Sequence, residues 1–462
     1  MLVDSHVHLD MPQFEDDLEE VVERAEKVGI TEMLNASYDK ASLGRTVALT
    51  ERFDKVYGAC GIHPHDSKDF DKETEGVMKR FLLRKKILAV GEVGLDYYRD
   101  LTPRDVQRDI FRRQIGIALY FRKPLIIHSR ESFDDVARIV EEEGAGEVGG
   151  IFHAFSLGED ELKLILRMGF IVGIGGPLTY KNSRLPEALR RLPSDAFVLE
   201  TDSPYLPPHP HRGKRNEPAY VALVRDRLAE IMGVEPGDIE RASHANYMRV
   251  IHRSKPKKAS MTYELKGALY LNITNSCTNN CTFCPRSEGN YELYGENLNL
   301  IVDPSAEELV EEARQKISSG GYREIVFCGF GEPTSRLDDI LKIARELKSL
   351  GLPLRLNTNG QGNLVHGRNI VPELEEVFDR VSISLNASSK NEYLTLCRPD
   401  FGPKAFDAVI DFIEKAAASK MECIVTALDI PSVDMDACRR VVDGISGVQF
   451  NVRRYRFVKE RL

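Results

Sequence analysis

The alternation of short apolar strand segments with amphipathic helical segments restricts the fold of this chain more than any other feature. Eight strands are predicted in the first half, at residues 2–8, 32–36, 56–61, 87–92, 124–129, 148–153, 170–173 and 196–200. Helical segments such as 14–28, 103–120 and 218–232 lie between them. A strand followed by a helix favours parallel pairing. Eight such units in about 250 residues fit a closed (β/α)8 barrel, although the pattern alone also fits a doubly wound sheet.

A second array of strands and helices begins after the basic, proline-containing stretch 252–260. Its predicted strands are 268–274, 324–327, 354–357, 380–386, 422–427 and 448–452, and its predicted helices are 305–318, 336–349, 404–419 and 435–442. Six strands in about 200 residues suit a smaller or incomplete barrel. We therefore expect three parts: a domain at 1–253, a linker at 254–261 and a domain at 262–462.

Charge and cysteine usage narrow the possible environment of the protein. The 63 basic and 72 acidic side chains give a net charge of −9, which disfavours a globally basic nucleic-acid binder but not a local basic patch. The longest apolar stretches, such as residues 170–178, are far shorter than the roughly 20 residues of a membrane helix, and no signal peptide is visible. Three of eight cysteines fall within eight residues, which favours metal chemistry in a reducing compartment. We expect a cytoplasmic protein without membrane contact.

Metal-ligand side chains stand at the ends of the predicted strands in the first half. His6 and His8 are two residues apart, so a strand would turn both to one face. The others follow later strands: Glu92, His128, His153 and Asp202. In a closed barrel these ends share one rim, where barrel enzymes build their sites, whereas an open sheet would scatter them. Imidazoles and carboxylates suit zinc, manganese or magnesium, and two bridged ions could clamp a phosphodiester.

Short sequence motifs in the same half, which occur in the same order, resemble those of the TatD family of metal-dependent deoxyribonucleases in the amidohydrolase superfamily. The matching motifs are residues 4–10, 61–65, 91–97, 128–130, 200–206 and 212–218. The resemblance covers residues 1–253 and implies which residues bind metal. It implies one ion on His6, His8, Glu92 and Asp202, and a second ion on Glu92, His128 and His153.

The TatD resemblance also implies roles beyond metal binding. Glu92 and Asp202 would be catalytic, with Asp202 taking the proton from the attacking water, and His63 and Arg130 would contact substrate phosphate. Arg212 lies with Lys214 and Arg215 in a local basic cluster that could attract phosphate, although such a run can equally be a solvated loop. The implied substrate is DNA, cleaved at ends or in single strands.

Cys277, Cys281 and Cys284 have the spacing C-x-x-x-C-x-x-C in the second half. Three thiolates in one short loop can bind three corners of a cubane iron–sulfur cluster, and no fourth cysteine follows nearby. One iron would then be free to chelate a small molecule. Structural zinc normally has four ligands, and His366 is the only histidine in this half.

The cysteine loop resembles that of the radical S-adenosylmethionine (SAM) enzymes, over residues 261–462. This resemblance implies a partial (β/α)6 barrel, one [4Fe–4S] cluster and reductive cleavage of SAM to a 5′-deoxyadenosyl radical, with flavodoxin or ferredoxin as electron donor. The residues implied to contact the cofactor are Phe283, Gly329, Gly331, Glu332, Asn357 and Ser384. Cys328, Cys397, Cys423 and Cys438 are predicted to be buried thiols, and Cys397, which faces no obvious partner, is considered as a radical-quenching thiol.

The leading interpretation is a bifunctional enzyme that resembles the TatD-linked radical SAM proteins, with a radical substrate that the residues do not identify. A second interpretation keeps both cofactors and makes the hydrolase act on another ester or amide, such as an aminoacyl-tRNA. A third is an iron–sulfur redox sensor that binds nucleic acid without radical chemistry, and the missing fourth cysteine argues against it.

Overall fold

A computed structural model describes residues 1–254, 259–300 and 302–454, and they form two compact units. The first unit comprises residues 1–254 and the second comprises the described residues from 259 to 454. Positions 255–258 of the predicted linker and the last eight positions of the predicted second domain lie outside the described residues. None of the described helices is long and apolar enough to cross a membrane.

Eight parallel strands form the sheet of the first unit, in the order of the sequence. They are β1 (Leu2–Val7), β2 (Ile30–Ala36), β3 (Val56–Ala59), β4 (Ile87–Asp96), β5 (Leu125–Arg130), β6 (Gly150–Phe152), β7 (Phe170–Ile174) and β8 (Phe197–Leu199). Residues after β8 return to β1, since the Asp202 amide donates to the His6 carbonyl at 2.9 Å and the His8 amide donates to the Ser203 carbonyl at 2.8 Å. The predicted (β/α)8 barrel is confirmed.

Nine helices of the first unit accompany these strands: α1 (Leu18–Lys27), α2 (Lys40–Arg52), α3 (Lys72–Phe81), α4 (Arg104–Phe121), α5 (Phe133–Glu142), α6 (Glu159–Arg167), α7 (Leu185–Leu189), α8 (Val221–Met232) and α9 (Pro236–Val250). Helices α1, α5 and α6 are strongly amphipathic, because an apolar stripe packs against the sheet while the other face is solvated. The barrel interior holds small and branched side chains, among them Val3, Ala36, Ala89, Ile126 and Ile171. Tyr247 of α9 packs against this cluster.

Gly94 brings the carboxyl end of β4 unusually close to β5. Its φ of +140° is rare for residues with a side chain, and a Cβ at this position would lie 2.0 Å from the His128 carbonyl oxygen. Only glycine permits so close an approach of two backbones. The close approach places the part of β4 that contains Glu92 next to His128 of β5.

The second unit has a seven-stranded sheet and a separate two-stranded hairpin. Its strands are β9 (Thr262–Leu265), β10 (Ala268–Asn272), β11 (Glu292–Leu293), β12 (Glu296–Asn297), β13 (Ile325–Cys328), β14 (Leu354–Thr358), β15 (Arg380–Ser384), β16 (Glu422–Asp429) and β17 (Val448–Arg454). Six parallel strands run in sequential order from β10 to β17, and antiparallel β9 covers the β10 edge. The partial (β/α)6 barrel is confirmed, and β9 is an addition that the short segment did not reveal.

The helices of the second unit are α10 (Ala306–Ser319), α11 (Leu337–Lys348), α12 (Gly362–His366), α13 (Val371–Leu374), α14 (Lys390–Cys397), α15 (Lys404–Ala417) and α16 (Met435–Asp443). Strand residues such as Leu356, Val381 and Val425 join the apolar core of this unit with helix residues such as Ile340 and Phe412. Alternate residues along the strands point to the other face, as the period of two requires. The parallel strands therefore present their carboxyl ends along one edge, where the cysteine loop begins.

Candidate metal centre and cysteine loop

The six predicted metal ligands converge at the carboxyl end of the barrel. His6, Glu92 and His128 stand on strands β1, β4 and β5, and the others follow β1, β6 and β8 directly: His8, His153 and Asp202. Four of them are buried, and His128 and Asp202 are partly exposed. Strand ends that are distant in sequence meet here because the sheet closes on itself.

Glu92 lies between two pairs of imidazoles. Its Oε2 atom is 3.4 Å from the Nε2 atoms of both His6 and His8. Its Oε1 atom is 2.8 Å from Nδ1 of His128 and 2.8 Å from Nε2 of His153. Each carboxylate oxygen therefore faces one histidine pair, which is the arrangement that a carboxylate bridging two cations requires.

Asp202 and His63 complete the group of donors. The Asp202 Oδ1 atom lies 3.7 Å from Nε2 of His6 and 3.5 Å from Nε2 of His8. Three triads have donor atoms within 4.8 Å of one another: His6, His8 and Glu92; His6, His153 and Asp202; and His63, Glu92 and His128. Histidine nitrogens and carboxylate oxygens suit divalent zinc, manganese or magnesium, so the residues fit the expected ions.

The close packing of acids and imidazoles shifts their pKa values in different directions. Burial alone would lower the pKa of His8, but hydrogen bonds to Asp202 and Glu92 hold it well above its usual value. Burial opposes protonation of His128 too, yet its hydrogen bonds to Asp96 and Glu92 raise its pKa to about 9. His6, in contrast, has its pKa lowered to about 4 by burial and by His153. In the absence of metal, protons on His8 and His128 offset the carboxylate charge.

The outer nitrogens of the histidine rings have different neighbours. Nδ1 of His8 lies 2.9 Å from the Ala36 carbonyl oxygen, and Nε2 of His128 lies 3.2 Å from the Asp96 carboxylate. Nδ1 of His153 is 3.9 Å from Oε1 of Glu200. Nδ1 of His6 has no hydrogen-bond partner among the described residues.

Two acids in contact with the ligands, Asp96 and Glu200, were not given roles by the sequence reasoning. Both carry a signal that could have revealed them, because Asp96 lies in the matching motif 91–97 and Glu200 ends a predicted strand. Glu200 is buried, and its Oε1 atom accepts the Ala154 amide at 2.5 Å. Burial raises the pKa of Glu200 well above its usual value.

The predicted phosphate-contact residues occupy three places around the centre. Nε2 of His63 lies 3.5 Å from Oε1 of Glu92, so this residue adjoins the predicted metal ligands. The Arg130 guanidinium stacks 3.9 Å from the centroid of the exposed Tyr98 ring. The Arg212 guanidinium lies 4.0 Å from the centroid of the Tyr180 ring.

The basic cluster expected at residues 212–215 is divided in the structure. Arg215 turns to Asp17, with Nη1 2.6 Å from Oδ1, and its Nη1 also donates to the Gln13 carbonyl. Its charge is thus paired with the carboxylate of Asp17, the residue before α1. Arg212 stacks on Tyr180, as described above, and remains a candidate for phosphate contact.

Cys277, Cys281 and Cys284 lie in the loop that follows β10, and each is partly buried. Burial raises the pKa of Cys277 to about 12 and raises that of Cys284. Without metal these side chains are therefore thiols, and binding of iron would release their protons. Three cysteines on one short loop fit a cluster with three protein ligands.

The carboxyl-terminal end of α14 holds the cysteine loop in place. The Asn280 amide donates to the Cys397 carbonyl at 3.0 Å, and the Thr282 amide donates to the Leu396 carbonyl at 2.8 Å. The buried Cys397 thiol raises the pKa of Cys281. Through its carbonyl, Cys397 also lies directly against the cysteine loop.

The glycine-rich segment lies against the start of the cysteine loop. The Glu332 amide donates to the Ser276 carbonyl at 2.7 Å, and a Cβ at Gly331 would lie 2.3 Å from the Thr274 carbonyl oxygen. The buried Glu332 carboxylate accepts the Thr358 hydroxyl at 2.7 Å and the Asn359 amide at 2.6 Å. This carboxylate connects the segments that follow β13 and β14.

The other predicted cofactor residues lie on the same edge of the sheet or in the loop itself. Gly329 follows β13, and Asn357 lies near the end of β14, where its Nδ2 donates to the Cys328 sulfur at 3.4 Å. Ser384 ends β15, and Phe283 of the loop packs against the core of the unit. Gly329, Asn357 and Ser384 thus lie at the carboxyl ends of three neighbouring strands.

The two units match different family models. Residues 3–252 match the family described as TatD related DNase, and residues 271–443 match the Radical SAM superfamily. A Bacillus subtilis protein named uncharacterized metal-dependent hydrolase YabD is 39% identical over 251 residues, which are 54% of this chain and 98% of that protein. The Escherichia coli hydrolase YcfH is 33% identical over 256 residues, 54% of this chain and 96% of its own length. The crystal structure of YjjV, a TatD homologue from Escherichia coli, has a TM-score of 0.52 at 28% identity and covers 54% of this chain and 98% of its own.

Proposed function

Because this chain belongs to the TatD-related DNase family through residues 3–252 and carries a radical SAM domain over residues 271–443, we propose that it is a bifunctional enzyme. The first unit would hydrolyse phosphodiester bonds of nucleic acid with two divalent ions. The second would cleave SAM reductively at a [4Fe–4S] cluster. The observation that carries the hydrolase proposal is the Glu92 carboxylate, whose two oxygens face separate histidine pairs.

Glu92 would bridge two ions, with His6, His8 and Asp202 on one side and His128 and His153 on the other. Once bound, such a pair supplies Lewis-acid stabilisation of a phosphodiester and lowers the pKa of water. The protein orients these ligands on strand ends, where the backbone is rigid. The barrel rim therefore fixes the distance between the two ligand sets before substrate arrives.

Asp202 would accept the proton of the attacking water. Burial opposes ionisation of this side chain, but the hydrogen bond from His8 and the charges of His6 and His153 hold its pKa below the usual value. The carboxylate is therefore charged at neutral pH and can accept a proton. His63, Arg130 and Arg212 would contact substrate phosphates, since they supply imidazole and guanidinium groups around the centre.

The hydrolase proposal is tested by cleavage of end-labelled single-stranded DNA in the presence of Mg²⁺ or Mn²⁺. We expect Asp202→Asn and chelation with EDTA to abolish cleavage, and Asp226→Asn on the exposed face of α8 to leave it unchanged. If Asp202→Asn protein, free of contaminants, cleaves as fast as the wild type, the proposal is wrong. A parallel panel of small esters and aminoacyl-tRNA tests the second interpretation, which requires their hydrolysis and no cleavage of DNA.

The radical SAM proposal is supported by the cysteine loop, the adjoining glycine-rich segment and the family match of residues 271–443. Its test is anaerobic reconstitution with iron and sulfide, followed by SAM and dithionite and measurement of 5′-deoxyadenosine. Cys281→Ser should abolish the product, whereas Cys423→Ser, a buried thiol outside the loop, should not. An intact cluster that forms no product would instead favour the sensor interpretation.

The proposed partners follow from the two chemistries. Nucleic acid would be the substrate of the first unit, and flavodoxin or ferredoxin would reduce the cluster of the second. The radical substrate is left unassigned. Addition of DNA or RNA to the 5′-deoxyadenosine assay tests whether it is a nucleic acid, because an added substrate should increase product formation.

A further inference from the structure

We infer that Asp96 is a positioning residue, which fixes the tautomer of His128 and so holds the metal position that His128 shares with His153. The inference rests on the two-metal centre of the proposed function and assigns a role to an acid outside the ligand set. It is carried by the geometry around a single buried carboxylate. Asp96 ends β4 and is 1% exposed.

The two carboxylate oxygens of Asp96 have different hydrogen-bond partners. Its Oδ1 atom accepts the backbone amides of Tyr98 at 3.0 Å and Arg99 at 2.9 Å. Its Oδ2 atom lies 3.2 Å from Nε2 of His128 and 3.0 Å from Nε2 of His65. Backbone amides can only donate, so the loop after β4 fixes the orientation of the carboxylate independently of the histidines.

The fixed carboxylate selects one form of the His128 ring. An ionised carboxylate only accepts hydrogen bonds, so the hydrogen of the neutral imidazole stays on Nε2. Nδ1 then keeps its lone pair, and this atom lies 2.8 Å from Oε1 of Glu92 and 3.1 Å from Nε2 of His153. A carboxylate behind a ligand histidine also increases the basicity of the ligand and fixes the plane of its ring.

The other pair of histidines has no carboxylate behind its rings among the described residues. His8 has a backbone carbonyl behind its ring, that of Ala36, and Nδ1 of His6 is without a partner among the described residues. Asp96 therefore acts on one of the two metal positions. Removal of the Asp96 charge should weaken the binding of one ion and leave the binding of the other unchanged.

Asp96→Asn tests this inference because it preserves the shape of the side chain. The amides of Tyr98 and Arg99 need an acceptor, so the asparagine carbonyl should take the place of Oδ1 and its NH₂ group should face His128. Nε2 of His128 must then accept, which puts the hydrogen on Nδ1, the atom that faces the metal position. We expect one of two ions to bind about 10–100-fold more weakly, the range found when such supporting groups are removed.

The measurement is calorimetric titration of the full chain with Mn²⁺, which thiolates bind poorly and which should therefore report the barrel. His65→Gln is the matched control, since it removes the other histidine of Asp96 without altering His128, and both ions should bind as in the wild type. On a His128→Ala background, Asp96→Asn should have no further effect, because a residue that acts through His128 is not additive with it.

Three results would overturn the inference: wild-type binding of both ions by Asp96→Asn, an equal loss at both positions, or additive losses with His128→Ala. A wild-type chain that binds no Mn²⁺ would overturn the proposed two-metal function as well. The two failures are thus separated by the wild-type titration alone.

Discussion

Oε1 of Glu92 lies 2.8 Å from Nδ1 of His128, although the two residues belong to different strands and α4 lies between them in the sequence. The contact exists because β4 and β5 are neighbours in a closed barrel and Gly94 lets their backbones approach closely. A single carboxylate thereby reaches the ligands of both proposed metal positions. This geometry makes the centre sensitive to changes at one residue.

Glu92→Ala should remove both ions together. Loss of the bridging carboxylate takes one ligand from each position and several kcal/mol of stabilisation from the metal-assisted transition state. We expect kcat/KM for DNA cleavage to fall by about 10³-fold or more, with no tightly bound Mn²⁺ in a titration. Glu19→Gln, on the exposed face of α1, serves as the control. Retention of either ion at wild-type affinity would contradict the bridging role.

Metal affinity should rise as the pH increases from about 6.5 towards 9. In the metal-free protein His128 has a pKa of about 9 and His8 is raised too, so both are protonated at neutral pH. A metal ion binds only the neutral ring and must displace these protons. The affinity should therefore increase by up to about tenfold per pH unit for each proton released, and the contribution of His128 should level off above about pH 9. Calorimetry in buffers of different ionisation enthalpy counts the protons, and a flat profile would contradict the expectation.

Gly173→Ala should destabilise the barrel. A Cβ at this position of β7 would lie 1.9 Å from Oε2 of Glu200, which is held from the other side by the Ala154 amide. Overpacking of a buried site costs about 1–3 kcal/mol. Gly44→Ala in α2 is the control, since its Cβ meets no atom within 4 Å and alanine favours a helix by about 1 kcal/mol. Urea unfolding followed by circular dichroism should move the two variants in opposite directions.

Tyr393→Phe should loosen the cysteine loop. The Tyr393 hydroxyl accepts Nδ2 of Asn279 at 3.1 Å and Nε2 of Gln361 at 2.9 Å, all in a buried network beside Cys281. Loss of a buried acceptor leaves amide donors unpaired, at a cost of about 1–3 kcal/mol. When a chelator is added, the reconstituted cluster of Tyr393→Phe should then lose its visible absorbance faster than the cluster of the wild type. Tyr120→Phe, at an exposed position, should not change that rate, and equal rates for both variants would count against the network.

Sequence patterns located most of the regular structure, because hydrophobic periodicity reports burial residue by residue. All eight strands of the first unit correspond to predicted segments, with shifts of up to a few residues at their ends. Strand β9 and the β11–β12 hairpin escaped prediction, since segments of two to four residues carry too little periodicity. Helices α12 and α13 were missed because they too are very short, and α14 was missed because its sequence is only weakly amphipathic.

The residue types alone indicated which side chains could bind metal, but the sequence did not show which residues contact these side chains in space. The predicted roles of His63, Arg130 and Arg212 remain predictions, although the structure adds that His63 adjoins Glu92 and that each arginine stacks on a tyrosine. The pairing of Arg215 with Asp17 spans the chain from the end of the barrel to α1, and no local pattern signals it.

The sequence by itself determined the two β/α arrays, the histidine and acid side chains at strand ends and the three-cysteine loop, because these depend on periodicity and spacing along the chain. Only the tertiary structure decided that Asp96 stands behind His128, that Glu200 faces His153 and that the end of α14 holds the cysteine loop. Such contacts join residues brought together by barrel closure and loop packing. Their distances are set by the register of neighbouring strands and the course of the connecting loops, which no local segment encodes alone.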